Sequence, residues 1–381
     1  MSSSSRATTS QSRTVDDRFV SHNLDSPTPS VEWLPGGEEP EGKPYTVQKL
    51  IVGTCTPENE QSSLMLVQVK LNREDWDGKE SSSSIEIGKT RRVQKINHDG
   101  VVNRARYMPQ NPSIIATKTG RAELFIFDCT KHPSNPPEEG VCSPDLRLTG
   151  HKDKGLGLSW SPFKKGHLLS GSEDGQVCFW DVNATPHDNT LEAMRIFDKQ
   201  HGCVEDVAWH MKDENLFGSV GEDKHLHIWD TRIPAIKLNQ SVLCHDAKVN
   251  SLAFNPICGW VVATGSSDKK VKMFDLRKIS PFLHILECPL QEEVDHVRWN
   301  HKHEKFLASS SGRKILVWDI SRIGRAQTSE EAKGGPPEFA FLHSAHTDSI
   351  TDFSWSPTYG LAIASAAKDN SLQLWRMREV M

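Results

Sequence analysis

The sequence predicts an all-β chain folded as a closed ring of seven small antiparallel sheets. Three observations predict it. A His stands thirty residues before an Asp again and again: His98 before Asp128, His151 before Asp181 and His245 before Asp275. His201 precedes Asp230 by twenty-nine, and His346 precedes Arg376 by thirty. Within each unit, segments such as "VEDVAW" (204–209), "VNSLAF" (249–254) and "ITDFSW" (350–355) alternate polar and apolar residues, the period of a strand. A small-residue strand ("LLSGS", "LFGSV", "VVATG", "LAIAS") follows, and then an Asp six residues before the closing aromatic. The four cases are Asp174–Trp180, Asp223–Trp229, Asp268–Phe274 and Asp369–Trp375.

Taken along the chain, clear repeats run at about 94–128, 147–181, 198–230, 242–275, 288–319 and 343–376. The unit that closes at Asp319 keeps the pattern without a His at its start. A divergent first blade spans about 45–93, built on "YTVQKLIVGT" and "SSLMLVQVKL". The segment "SVEWLP" (30–35) is expected to give the last blade its outer strand, closing the ring and removing an exposed edge. Residues 1–18, Ser-rich and without an apolar core, read as a disordered tail, with an organelle transit peptide as the alternative. The propeller then occupies 19–381. Three insertions exceed what the repeat needs: 71–92, 129–148 and 321–344. The first reads as a mobile loop that carries the basic run "GKTRR" (88–92), too short to prove nuclear import. The last holds Pro336 and Pro337 followed by Phe339 and Phe341, read as a stiff ledge for a partner.

Composition bounds the function. Of 381 residues, 36% are hydrophobic, enough for a large core, and the formal net charge is −5. A balance of 45 basic against 50 acidic side chains argues against non-specific nucleic-acid binding. No apolar run reaches the length of a membrane helix. Eight cysteines at irregular spacing form no CxxC pair, so buried reduced thiols of an intracellular protein are expected rather than disulfides or zinc. No nucleophile elbow, phosphate loop or metalloprotease helix stands out, so no catalytic residue, cofactor or metal ligand is assigned. The strand-borne pair His225 and His227 lacks a completing carboxylate or thiol pattern. The repeated His and Asp are expected to be scaffold: an Asp in a tight turn accepts from backbone N–H groups and from the His.

Units of about forty residues, each four strands ending near Trp-Asp, define the WD40 β-propeller. The wording resembles one family within it. "GVVNRARYMPQNPSIIATKT", "GLSWSPFKKGHLLSGSEDGQVCFWDVNATP", "VEDVAWHMKDENLFGSVGEDKHLHIWDTR" and "GGPPEFAFLHSAHTDSITDFSW" resemble the retinoblastoma-binding, MSI-like histone-binding WD40 proteins, with plant members nearest. The likeness covers about residues 20–378. It implies a non-catalytic, nuclear scaffold for core histones, acting as a monomer within chromatin-assembly, Polycomb-type and histone deacetylase complexes. It also implies two surfaces. A side groove for a histone helix would use Glu330, Glu331, Pro336, Pro337 and Phe339. A top-face channel for basic tails would use Asn103, Arg104, Glu205, Asn250 and Asp295.

The chain departs from that family in ways that bear on both surfaces. The long N-terminal helix of the family is replaced by the Ser-rich tail, and Lys333 and Gly334 stand where the family loop is strongly acidic. Val101, Lys154, Leu156 and Lys368 stand where the family top face is acidic or aromatic. A less acidic channel holds a basic tail less well. A second reading rests on "HIWDTR": Trp229, Asp230 and Arg232 match the WDxR pattern of substrate adaptors for cullin-based ubiquitin ligases, with "FDLRK" (274–278) a weaker echo.

Overall fold

Residues 18–377, apart from 57–60, 73–88, 138–139, 199, 235–236 and 288, are described by a computed structural model. They form seven sheets around a central channel. Blade 1 comprises Ser30–Trp33, Tyr45–Gly53, Ser62–Asn72 and Thr90–His98. Blade 2 runs Val102–Met108, Asn111–Thr119, Leu124–Asp128 and Leu146–Thr149. Blade 3 is Leu158–Trp160, His167–Gly171, Val177–Asp181 and Arg195–Phe197. Blade 4 takes Val204–Trp209, Leu216–Gly221, His225–Asp230 and Gln240–Leu243, and blade 5 Val249–Phe254, Val261–Ser266, Lys270–Asp275 and His284–Glu287. Blade 6 is His296–Trp299, Phe306–Ser311, Lys314–Asp319 and Phe339–His343. Blade 7 is Ile350–Trp355, Ala362–Ala367, Ser371–Arg376 and the far N-terminal strand Arg18–Asn23.

The ring closes on a strand other than the one the sequence pattern suggested. Ser30–Trp33 pairs with Tyr45–Gly53 and is the innermost strand of blade 1. Arg18–Asn23 supplies the outer strand of blade 7, antiparallel to Ser371–Arg376, with Arg18 opposite Arg376 and Asn23 opposite Ser371. The expected tail at 1–18 lies outside the described residues except for Arg18, which opens this strand. Most of the 71–92 insertion also lies outside them, and Arg91 and Arg92 are exposed on the outer strand of blade 1 rather than in a loop. The link between Asp181 and Arg195 adds a short strand, Thr190–Glu192, parallel to the outer strand of blade 2.

Adjacent blades pack apolar faces against each other. Blade 1 places Val31, Trp33, Leu50 and Val52 against Ala362, Ala364, Ala366, Leu372 and Leu374 of blade 7. The small residues of the second strands have a steric cause. A Cβ on Gly53 would meet Val102 Cγ1 at 2.5 Å, one on Gly171 would meet Val204 Cγ1 at 2.6 Å, and one on Gly265 would meet Val294 Cγ1 at 2.6 Å. Each glycine thus receives a valine at the start of the following blade, and that contact sets how closely the blades stack. The aromatic that ends each third strand is buried: Trp180, Trp229, Trp318 and Trp375 have no exposed surface.

Removing residues 1–24 deletes the closing strand and leaves Ser371–Arg376 as an unpaired edge. The expected result is a melting temperature lower by several degrees together with self-association, followed by calorimetry and analytical ultracentrifugation. A truncated chain that stays monomeric at the native melting temperature contradicts this role.

Candidate functional site

The repeated His and Asp build networks that tie turns to strands. His151 bonds Asp174 through Nδ1 at 3.1 Å and Ser170 Oγ through Nε2 at 3.1 Å. His245 bonds Asp268 at 2.9 Å and Thr264 Oγ1 at 2.8 Å. His346 bonds Ser365 Oγ at 2.8 Å and Ser371 Oγ at 2.7 Å, with Asp369 at 3.7 Å. Burial disfavours charge on His151 and His245 and lowers their pKa, so the neutral rings donate from Nδ1 to the carboxylates. Burial opposes the charge of Asp174 and Asp268 too, but the His and backbone N–H donors hold both down to about 2. Every ring nitrogen in these three networks is occupied by a structural partner.

Two units solve the position differently. His98 has no Asp partner and bonds Gly100 O and Thr117 Oγ1, both at 2.9 Å. His201 is exposed and takes no part. Gln200, thirty residues before Asp230, occupies its place and accepts from Ser219 Oγ at 2.8 Å, while His227 bonds Asp223 at 2.7 Å. The count of twenty-nine from His201 was the sign of this substitution. Among the described residues, no group of three or more His, Cys, Asp or Glu is placed to hold a metal ion.

The five residues expected on the top face divide into two groups. In three blades the inner strand shifts register at its second residue, between Val102 and Arg104, Val204 and Asp206, and Val249 and Ser251. Such an extra residue re-aims the side chains on either side of it. Asn103, Glu205 and Asn250 sit at the shift, and Asp295 stands just before the inner strand of blade 6. The side chains there are already engaged. Glu205 pairs with Lys248 at 3.2 Å, Asn250 donates to Val294 O at 2.9 Å, and Asn103 donates to Thr119 O at 3.0 Å. Burial, with Glu293 nearby, pushes Asp295 up to about 6, and Lys248 and Lys368 only partly offset this. Lys154 is exposed at the same end and lies 3.8 Å from Glu173.

Arg104 belongs elsewhere. It is buried inside the channel, with Nη1 donating to Asp352 Oδ1 at 3.4 Å. Arg106 donates to Asp352 Oδ2 at 3.0 Å, and Arg298 donates to Oδ1 at 3.0 Å. Val31 N and Ser30 Oγ donate to the same carboxylate at 3.1 and 3.2 Å. Asp352 is 0% exposed. Burial alone would raise its pKa, but the three guanidiniums hold it well below the usual carboxylate range. Beside it Glu32 accepts from Tyr107 N at 3.1 Å, and desolvation outweighs Arg106 and raises its pKa to about 7. Sequence patterning missed this cluster because the polar face of an alternating inner strand lines a channel as readily as it faces solvent.

The loop before the outer strand of blade 6 contains a four-residue helix, Ser329–Ala332, closed by a capping box between Thr328 and Glu331. Glu330 and Glu331 are exposed, and Lys333 pairs with Glu330 at 2.7 Å. Pro336 and Pro337 are half-buried. The aromatic ledge does not form. Phe339 and Phe341 alternate inward on the strand Phe339–His343, where Phe339 packs on Trp318 and Phe341 on Trp375. At the WDxR position Trp229 is fully buried, while Arg232 is exposed and folds back on Asp230 with Nη2 at 2.6 Å. Arg277 makes the same fork on Asp275.

Comparisons fit this arrangement. Residues 159–375, more than half of the chain, match the family model of the nucleolar protein 10-like N-terminal domain, a β-propeller. A chain from the "Crystal Structure of Mitotic Checkpoint Complex" superposes with a TM-score of 0.65 at 17% identity, covering 100% of this chain and 97% of that one, which shows the fold. The molecule is therefore a WD-repeat β-propeller of the class that these matches describe. Residues 14–72 match the family model that describes the histone-binding protein RBBP4 or its counterpart in the CAF1 complex. With that N-terminal segment leading into a WD-repeat ring, the chain belongs to the RBBP4/MSI-like family.

Glu32 yields a test with a defined sign. Its folded pKa, about 7, lies above the ordinary 4.5. The stability it contributes is present below pH 4.5 and is lost as pH rises through 7. Glu32→Gln should flatten the fall in unfolding free energy between those limits, followed by urea titrations across the range. A variant with the native pH slope contradicts the assignment.

Proposed function

We propose that the chain is a non-catalytic, nuclear scaffold that binds core histones on behalf of chromatin-assembly, Polycomb-type or deacetylase complexes. The observation that carries the reading is the match of residues 14–72 to the histone-binding family model. That segment includes the strand that closes the ring and the inner strand of blade 1.

Of the two surfaces, the loop after blade 6 suits a histone helix better. Its exposed Glu330 and Glu331 offer negative charge at a pre-ordered turn, and Pro336 and Pro337 limit the entropy lost on docking. The contact surface consists of these four residues, because Phe339 is committed to the core. The top face suits a basic tail poorly: Glu205 is neutralised by Lys248, and Lys154 and Lys368 add positive charge near the entrance. One unfavourable contact of this kind costs on the order of 1 kcal/mol at an effective dielectric near 20.

Two variants test this division by calorimetry with a histone H3–H4 preparation and with an H3 tail peptide. Glu330→Lys combined with Glu331→Gln, which keeps the capping box, should weaken histone binding about tenfold. Lys154→Glu combined with Lys368→Glu should strengthen tail binding by a similar factor, and the gain should shrink as salt rises. Unchanged affinity in the first variant contradicts the loop's role, and unchanged tail affinity in the second contradicts the account of the top face.

A further inference from the structure

The channel holds a cavity that the histone surfaces leave unused. It measures about 360 Å³ and lies at the end of the channel where the inner strands finish, bordered by Pro109, Pro162, Pro256 and His301. Its lining has two chemical halves. Trp160, Trp209 and Trp299 are among the apolar residues on one side, and Arg104, Arg106 and Arg298 form the other.

The guanidiniums are incompletely used. Arg104 and Arg298 both donate to the same oxygen, Asp352 Oδ1, each through a single terminal nitrogen. Among the described residues, Nε of Arg104 and Nε of Arg298 are buried without an acceptor. A guanidinium presents five donors in a planar fork, suited to two-point recognition of carboxylate or phosphate. Three guanidiniums face Asp352, Asp206 and the half-buried Glu32, but Asp206 already accepts from Ser251 Oγ at 2.9 Å and from Leu252 N at 3.2 Å. Two like charges that converge on one carboxylate oxygen repel each other, and a second anion between them relieves that repulsion.

We propose that this cavity binds a small organic anion, its carboxylate or phosphate group held by Arg104 and Arg298 and its apolar body set against Trp160, Trp209 and Trp299. The ligand enters from the end of the channel opposite the register shifts that carry Asn103, Glu205 and Asn250, so its site is separate from the top face. Arg298 is the more accessible anchor, with 30% of its side chain exposed and a single ion-pair partner among the described residues. Arg106 is the inner support, bonded to Ser30, Ala105 O and both oxygens of Asp352.

Benzoate and inorganic phosphate are suitable probes, titrated into the full chain by calorimetry. Benzoate is expected to bind, and Arg298→Gln is expected to weaken it at least tenfold. Arg298→Lys should recover part of the affinity, because it restores the charge without the fork. Arg232→Gln, on the rim of the molecule, should leave binding unchanged. Saturation-transfer NMR on the native chain gives a reading that needs no variant: the indole protons should saturate the benzoate ring. Absence of benzoate binding, equal affinity in the native and Arg298→Gln proteins, or phosphate binding without benzoate binding each overturns the proposal.

Discussion

One carboxylate holds the ring together at its centre. Asp352 stands on the inner strand of blade 7 and accepts from blade 1 through Val31 N and Ser30 Oγ, from blade 2 through Arg104 and Arg106, and from blade 6 through Arg298. Four of seven blades therefore meet at a side chain with no exposure to solvent. A buried charge is tolerated only when it is paired and its lone pairs are filled, and here five donor groups fill them. The Arg18–Asn23 strand closes the same ring at its rim, so hub and rim join the first and last blades independently.

Charge placement also separates the surfaces. The guanidiniums are spent inward, around Asp352 and the cavity below it, whereas the acids of the register-shifted end are paired or partly protonated. A propeller of this family whose top face is neutralised in this way must rely on its side loop for basic partners. The loop's short helix supplies exposed acids there, held in place by its own cap rather than by a larger element. The two features fit one scaffold that favours a histone helix over a free tail.

Much of the fold was legible because the repeat fixes chemistry at fixed spacing. The pairs His151–Asp174 and His245–Asp268 follow from the positions of those residues in their units. The closing strand was not legible, since "SVEW" alternates in the same way whether its strand is innermost in blade 1 or outermost in blade 7. Phe339 and Phe341 were misjudged for a related reason: a Pro-Pro pair marks a loop's end, and the aromatics two residues apart beyond it already belong to a strand with one buried face. Arg104 was placed on the wrong surface because the register shift at Asn103 turns the next residue inward, and a shift of that kind leaves no mark in composition.

The most direct test of the hub is the unfolding free energy of Asp352→Asn, measured by urea denaturation at neutral pH. Leaving three buried or half-buried guanidiniums without their carboxylate should cost about 3–5 kcal/mol. The loss should appear in the midpoint with little change in slope. A variant within about 0.5 kcal/mol of the native protein, the range of an ordinary surface substitution, would show that the blades hold without this charge and would contradict the account.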